Sequence, residues 1–331
     1  MNHVFGPVPS RRLGWSLGID PIPLKTCNWN CVYCQLGRTA PLTGARGNYA
    51  PAGQIVKEVQ GALEVQRPRN VDWITFVGSG EPTLHARLGW MIRQVKALTS
   101  TPVAVITNGS LLYRPEVREE LSAADAVLPA LDAGTDSLFR AINRPHPAFT
   151  FDQLVEGLKE FRRYYRGKLW VEIMLVKALN DSEASLSDLA TVLSRIVPDE
   201  VHISLPLRPP AETWVQPAGT DRTRRARSIL GEVARVLPPI PEGVDFANSD
   251  DPVSAVVDVI SRHPTAEAEL IRALERWKLG DVGEVLDRLG ASGRAQVVTR
   301  FGRRFWSAAR SRYGGVAPGK CRPEAKGTAG K

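Results

Sequence analysis

The sequence predicts an α/β fold, a partial (βα)6 TIM-like barrel with a small helical module behind it. Short β-rich runs alternate with amphipathic helical stretches from residue 15 to residue 210, the pattern of a parallel sheet with helical crossovers. Chemically suggestive residues follow the end of every such run, as they would around a barrel mouth. Past residue 238 a Pro-rich break precedes three short helical patterns and two strand-like runs.

Six runs rich in Val, Ile or Leu have the length of buried parallel strands: 17–22, 71–77, 103–107, 126–131, 169–176 and 201–207. Between them, helical spacing of apolar residues marks 54–65, 86–98, 115–121, 151–164 and 186–196, with a last helical run at 221–236. The segments that follow the strands are 27–34, 78–82, 108–109, Asp132, Lys177 and Arg208. A doubly wound sheet would focus a site at one switch point. Six strand ends bearing such residues favour the barrel.

The stretch 238–252 reads as a linker or the barrel's exit. Beyond it, 253–261, 266–274 and 282–289 read as helices, and 295–299 and 304–307 as strands bent around Gly302. Three helices and a hairpin resemble a winged-helix module. The final residues are rich in Gly, Ala and Lys and are expected to be disordered. The expected division is thus a barrel over 1–245, a winged-helix-like module over 252–313 and a tail over 314–331.

An apolar fraction of 43% is ample for a sizeable core, and no run approaches the roughly 20 apolar residues of a membrane helix. The N-terminus has no apolar signal region, and the cysteines are few and clustered. The expectation is a reducing compartment, the cytoplasm. The net charge of +8 is unevenly placed. From Pro252 onward 15 Lys and Arg face 8 Asp and Glu, a surplus of +7, against 28 and 27 before it. Such asymmetry suits RNA or another anion, and equally a solubilising tail. Arg288, Arg294, Arg300, Arg303, Arg304, Arg310 and Arg312 are interleaved with Phe301, Phe305, Trp306 and Tyr313. Phosphate contact with base stacking would use this mix; for Phe305 and Trp306 core packing is the better reading.

Cys27, Cys31 and Cys34 are three of the four cysteines in 331 residues, and Cys321 lies in the tail. Three thiolates so spaced can hold three corners of an iron–sulfur cube and leave one iron open. A zinc site usually wants four ligands, and His3, His85, His146, His202 and His263 show no paired spacing. A lone catalytic thiol would not need three cysteines together.

The Cys-x-x-x-Cys-x-x-Cys run, with Tyr33 before its last cysteine, resembles the signature of the radical S-adenosylmethionine superfamily. Gly78-Ser79-Gly80-Glu81-Pro82 looks like the superfamily's Gly-Gly-Glu-Pro segment, with Gly-Ser where two glycines are usual. Thr107-Asn108-Gly109 looks like the segment ending the third strand. The resemblance covers roughly residues 5–240, the whole barrel. Residues 6–12, 24–27, 143–147, 176–181 and 208–210 look like a group known as Fe–S oxidoreductases, related to the radical enzymes of wybutosine synthesis on tRNA. The second cysteine set of those enzymes has no counterpart here.

The resemblance implies a [4Fe–4S] cluster on Cys27, Cys31 and Cys34, with S-adenosylmethionine on its fourth iron. One electron then yields a 5′-deoxyadenosyl radical that abstracts hydrogen from a substrate. Tyr33 would support the adenine. Gly78, Ser79, Gly80 and Glu81 would meet the methionine ammonium, and Asn108 the ribose or carboxylate. Asp132 and Lys177 are further cofactor candidates, and Asn180 and Arg208 candidate substrate contacts. Each has a plainer reading: a strand-to-helix turn for 78–82, a turn-former for Asn108, an N-cap for Asp132, exposed loop positions for the rest. Arg11 and Arg12 are candidate substrate contacts or ordinary surface arginines. No residue is assigned to the substrate's own chemistry. The implied reductant is a flavodoxin or ferredoxin; the cluster motif together with the +7 surplus after Pro252 makes an RNA, as in tRNA modification, the leading target. Alternatives are a small metabolite, a protein as in glycyl-radical activation, or an iron–sulfur redox sensor on DNA.

Overall fold

The computed structural model describes residues 3–66, 71–238, 251–278 and 280–314. The expected linker lies mostly outside these residues, as do Cys321 and the tail beyond Gly314. The chain begins with a hairpin of β1 (Val4–Ser10) and β2 (Gly14–Ile19). Then come α1 (Ala52–Gln66), β3 (Trp73–Phe76), α2 (Leu88–Leu98), β4 (Val103–Thr107), α3 (Pro115–Leu121) and β5 (Ala126–Pro129). They are followed by α4 (Asp136–Ile142), α5 (Phe151–Tyr164), β6 (Lys168–Met174), α6 (Glu183–Ile196), β7 (Glu200–Ser204), α7 (Thr220–Leu230) and β8 (Ala234–Val236). The C-terminal elements are α8 (Pro252–Ile260), β9 (Thr265–Ala266), α9 (Glu267–Trp277), α10 (Val282–Ala291), β10 (Ala295–Arg300) and β11 (Arg303–Ala308).

The first eight strands form one sheet in the order β1 to β8. β1 is antiparallel to β2, and every later pairing is parallel. Because the order never reverses, the sheet winds in one direction as a barrel does, with no central switch point. β1 and β8 are not neighbours, so the barrel is partial. Alternation along the strands separates two layers. Val103 and Val105 of β4, Leu169, Val171 and Ile173 of β6, and Val201 and Ile203 of β7 join the large core under the helices. Ala104, Ala126, Leu128 and Trp170 form a second cluster with Leu13 on the other face.

Polar residues share that inner face. Ser16 of β2 and Thr75 of β3 are hydrogen-bonded at 2.6 Å, and Glu172 of β6 pairs with Arg12 from the β1–β2 turn. They sit where a fully packed barrel would carry Val or Leu. The consequence is an interior that is not filled by side chains.

Two strands differ from expectation. β1 carries Gly6, Pro7 and Pro9 and makes an irregular register between Phe5 and Val8. Proline lacks the N–H of a central strand and is tolerated at such an edge. The helical run expected through residue 236 stops at Leu230, and Gly231 at φ 86° turns the chain into β8 beside β7. The C-terminal elements have their own core of Val256, Ile260, Leu270, Leu274, Leu289 and Trp306. β10, β11 and the two-residue β9 form a three-stranded sheet, with β10 and β11 joined at Phe301 and Gly302, both at positive φ.

Candidate active site

The cysteine loop leaves the C-terminal end of β2 and is laced to the segment after β3. Lys25 N donates to Ser79 O at 2.7 Å, and Glu81 N donates to Thr26 O at 2.9 Å. Gly80 is needed there, because a Cβ would overlap the Thr26 carbonyl oxygen. Each sulfur faces a nitrogen donor. Lys25 Nζ donates to Cys34 Sγ at 3.1 Å, Trp29 N to Cys27 Sγ at 3.4 Å and Asn143 Nδ2 to Cys31 Sγ at 3.6 Å. Burial, reinforced by Glu81, pushes the free Cys27 thiol up to about 12. Burial, with Asp132 nearby, raises Cys31. The metal-free thiols of Cys27 and Cys31 are therefore held neutral, and binding iron would release their protons.

Glu81 is buried and accepts four hydrogen bonds: Thr83 N at 2.9 Å, Thr83 Oγ1 at 2.5 Å, Thr107 Oγ1 at 2.6 Å and Asn108 N at 2.7 Å. Its carboxylate thus ties the segment after β3 to the end of β4. Asn108 donates through Nδ2 to Asn28 Oδ1 at 2.7 Å, and its Oδ1 accepts from Ser110 Oγ at 2.6 Å. This brings the end of β4 against the cysteine loop. Asp132 is not an N-cap, since Thr135 caps α4. It accepts from Tyr33 Oη at 2.6 Å, Asn143 Nδ2 at 2.6 Å and Met174 N at 2.7 Å. It orients Tyr33 from the floor of the site.

Asn180 is buried, with Oδ1 accepting from Val176 N and Nδ2 donating to the Asp132 and Met174 carbonyls. These bonds tie its loop to the end of β6 and to Asp132. Lys177 has an exposed side chain and does not border the cavity described next.

A cavity of about 360 Å³ opens beside the cysteine loop. Tyr33, Cys34, Gly78 and Ser79 line it together with Arg208, Arg11 and Arg12. The two N-terminal arginines are thus lining residues and not ordinary surface charges. Part of its wall comes from the C-terminal elements, through Val259, Arg262, His263 and Thr265. Arg262 pairs with Asp20 at 3.2 Å, and Asp20 also accepts from Ser79 Oγ at 2.6 Å. Gln35 Nε2 donates to the Arg262 carbonyl at 3.1 Å, and Tyr313 Oη to the Gln35 carbonyl at 2.9 Å. Lys25, Asp20, Asn28, Gln35, Asn143, Arg262 and His263 were not singled out from the sequence as site residues. Lys25, Asn28 and Asn143 stood inside motifs that carry the family resemblance. The others come from separate elements with no shared spacing.

The donor set fits an iron–sulfur cluster: three soft thiols on one loop, each supported by an N–H group. Among the described residues no three His, Cys, Asp or Glu surround a single-ion position. A cube needs no such point, since its three thiolates bind three different irons.

Residues 22–190 match the Radical SAM superfamily. The chain belongs to that superfamily of enzymes, which typically hold a [4Fe–4S] cluster and S-adenosylmethionine. A relative of comparable length is UPF0026 protein MJ1312 of Methanocaldococcus jannaschii, 34% identical over 83% of this chain and 86% of that one. A Brachyspira hyodysenteriae protein named GTPase Obg is 38% identical over 89% of this chain, which spans 43% of that protein's length. Among solved structures, a radical SAM methyltransferase from Sphaerobacter thermophilus aligns with a TM-score of 0.50 at 18% identity, over 67% of this chain and 66% of that one. That last likeness is one of fold. No helix among the described residues is long and apolar enough to cross a membrane.

Proposed function

We propose that this chain generates a 5′-deoxyadenosyl radical and uses it to abstract hydrogen from a substrate held in the 360 Å³ cavity. The observation that carries this reading is the meeting of Cys34, Tyr33, Gly78 and Ser79 on one cavity wall. Cys27, Cys31 and Cys34 would hold the cluster. When bound, the cluster supplies one electron to the sulfonium of S-adenosylmethionine, which divides into methionine and the 5′-deoxyadenosyl radical. The chain's part is to bind and orient. The backbone of 78–80 borders the cofactor's place, Asp132 holds Tyr33, and Asn108 and Asn28 brace the cysteine loop. A one-electron donor of the flavodoxin or ferredoxin kind is required, and three unpaired thiols suit the cytoplasm.

Anaerobic reconstitution with iron and sulfide, reduction, and chromatography for 5′-deoxyadenosine test the reading. The wild type is expected to form it, and Cys31→Ala to lose both the cluster's visible absorbance and the product. A Cys31→Ala protein that kept both would overturn the assignment.

An RNA target is a second reading, supported by the +7 surplus after Pro252. The order helix, strand, two helices, two strands supports the winged-helix likeness. Arg303 and Arg304 beside the β10–β11 turn are exposed, as is Arg310 past the far end of β11, and Phe301 in the turn is 52% exposed. Arg300 is instead buried, donating to the Thr213 and Val215 carbonyls. Phe305 and Trp306 are buried as well. Charge reversal at Arg303 and Arg310 is expected to lower tRNA affinity. The steepness of its salt dependence should fall by roughly one unit for each phosphate no longer neutralised. A wild type that binds no tRNA at low salt would end this reading.

A further inference from the structure

The cavity holds more positive charge than its neighbours answer. Four arginines line it, Arg11, Arg12, Arg208 and Arg262, against the carboxylates of Asp20 and Glu269. Arg262 is paired with Asp20, and Arg12 with Glu172 from the barrel interior. The Arg11 side chain makes no hydrogen bond or ion pair with any described residue. Among the described residues Arg208 engages Nη1 alone, 3.2 Å from Gln35 Oε1 and 3.3 Å from His263 Nδ1. His263 supplies no opposing charge. Burial first, then Arg208, Arg262 and Arg12, pull its imidazole down to about 3, so it is neutral at physiological pH.

Enclosing guanidinium groups without carboxylate partners is costly. Burial pulls Arg208 down to about 10, with Glu269 acting in the opposite sense and Arg11 in the same one. Burial and then Arg11 pull Arg12 down to about 9, although it is paired with Glu172. The like charges feel one another across the space, and a bound oxyanion would relieve that repulsion. Guanidinium forks also match the geometry of phosphate and carboxylate oxygens. A volume of about 360 Å³ lies at the small-ligand end of protein pockets, and the C-terminal elements wall one side of it.

We infer that the cavity takes a small free molecule bearing a phosphate or carboxylate, seated between Arg11 and Arg208 with the rest of the molecule toward Cys34, Gly78 and Ser79. This rests on the reading of the cavity as the radical site. Arg11 comes from the β1–β2 turn and Arg208 from the loop after β7.

The test is calorimetric titration of the reconstituted full-length protein, loaded with S-adenosylmethionine, with three probes: inorganic phosphate, succinate and a short single-stranded RNA. Wild type, Arg11→Gln, Arg208→Gln and Arg208→Lys are compared, with melting and iron content checking that each variant folds. Saturable one-site binding of phosphate or succinate is expected, weakened roughly tenfold or more by either Gln substitution and less by Arg208→Lys. Affinity for S-adenosylmethionine, titrated separately, should stay within about twofold. Four results would each overturn the inference: no saturable anion binding; binding indifferent to both arginines; S-adenosylmethionine affinity falling in parallel; or RNA alone binding in an arginine-dependent way. The radical reading stands or falls separately, on 5′-deoxyadenosine formed by the reduced wild type without added anion.

Discussion

The backbone at residue 80 passes so close to the Thr26 carbonyl that a Cβ would overlap it, and Thr26 immediately precedes the first cysteine. Backbone cannot yield as a flexible side-chain tip would, so a methyl group there must push the cysteine loop away. Gly80→Ala is expected to lower iron content after reconstitution several-fold, and to lower the melting temperature of the metal-free protein. Unchanged iron content would show that the loop is not set by this contact. Serine at residue 79 has a use at the same scale. Its hydroxyl donates to Asp20, which receives Arg262 from the C-terminal elements. The serine at this position is therefore where the segment after β3 is tied to the C-terminal elements. The neighbouring Glu81 reads in sequence as a ligand, because a carboxylate in a glycine-rich turn is chemically inviting. Its four donors come from Thr83, Thr107 and Asn108, and two of those residues are supplied by another strand.

Among the elements, those with strong periodicity were legible. The runs 103–107, 115–121 and 151–164 match β4, α3 and α5 at both ends. α5 owes its sharp start to a capping box in which Thr150 and Gln153 each accept the other's backbone N–H. Thr150→Ala is expected to cost about 1 kcal/mol in denaturant unfolding and to leave cluster assembly unchanged, since α5 lies in the outer layer. Loss of the cluster in that variant would show that the layers are more tightly coupled than their separate cores imply. Elements that depend on pairing partners were not legible. β1 is an edge strand rich in Pro and Gly, held in place by Phe5 filling the space that a Cβ on Gly18 would take. β8 has three residues and exists through its ladder with β7. α4 has only seven residues, too few for a periodic signal.

For the molecule as a whole, the docking of the C-terminal elements matters most. Arg300 holds the loop after β7, and Arg38 N donates to the Arg312 carbonyl at 2.6 Å. Gly314 N donates to the Ala211 carbonyl at 2.7 Å. The chain's last described residues are thus stitched between the cysteine loop's far end and the barrel's last long loop. His263 lies in this interface, near Arg208, Arg262 and Arg12, with its pKa lowered to about 3. A histidine depressed in the folded state stabilises fully above its unfolded value of about 6.5, and that contribution is lost as pH falls from there toward 3. Each pH unit in this window costs at most about 1.4 kcal/mol. Between pH 7 and pH 5 the wild type should therefore lose more thermal stability than His263→Gln, which cannot gain the proton. Other buried histidines act alike in both proteins, so the difference isolates this one. Equal losses would place His263 outside the closed interface.

The sequence by itself determined the winding of the barrel, the cysteine trio and the resemblance that gives it meaning, because those signals are local. Periodicity, motif spacing and turn residues lie within a few positions of one another. Only the tertiary structure decided what surrounds the trio. Asn143 reaches Cys31, Asp20 joins Ser79 to Arg262, and Arg11 and Arg208 line one cavity. These partners are far apart in the chain, and what brings them together is the closure of a curved sheet and the module docked on its open side.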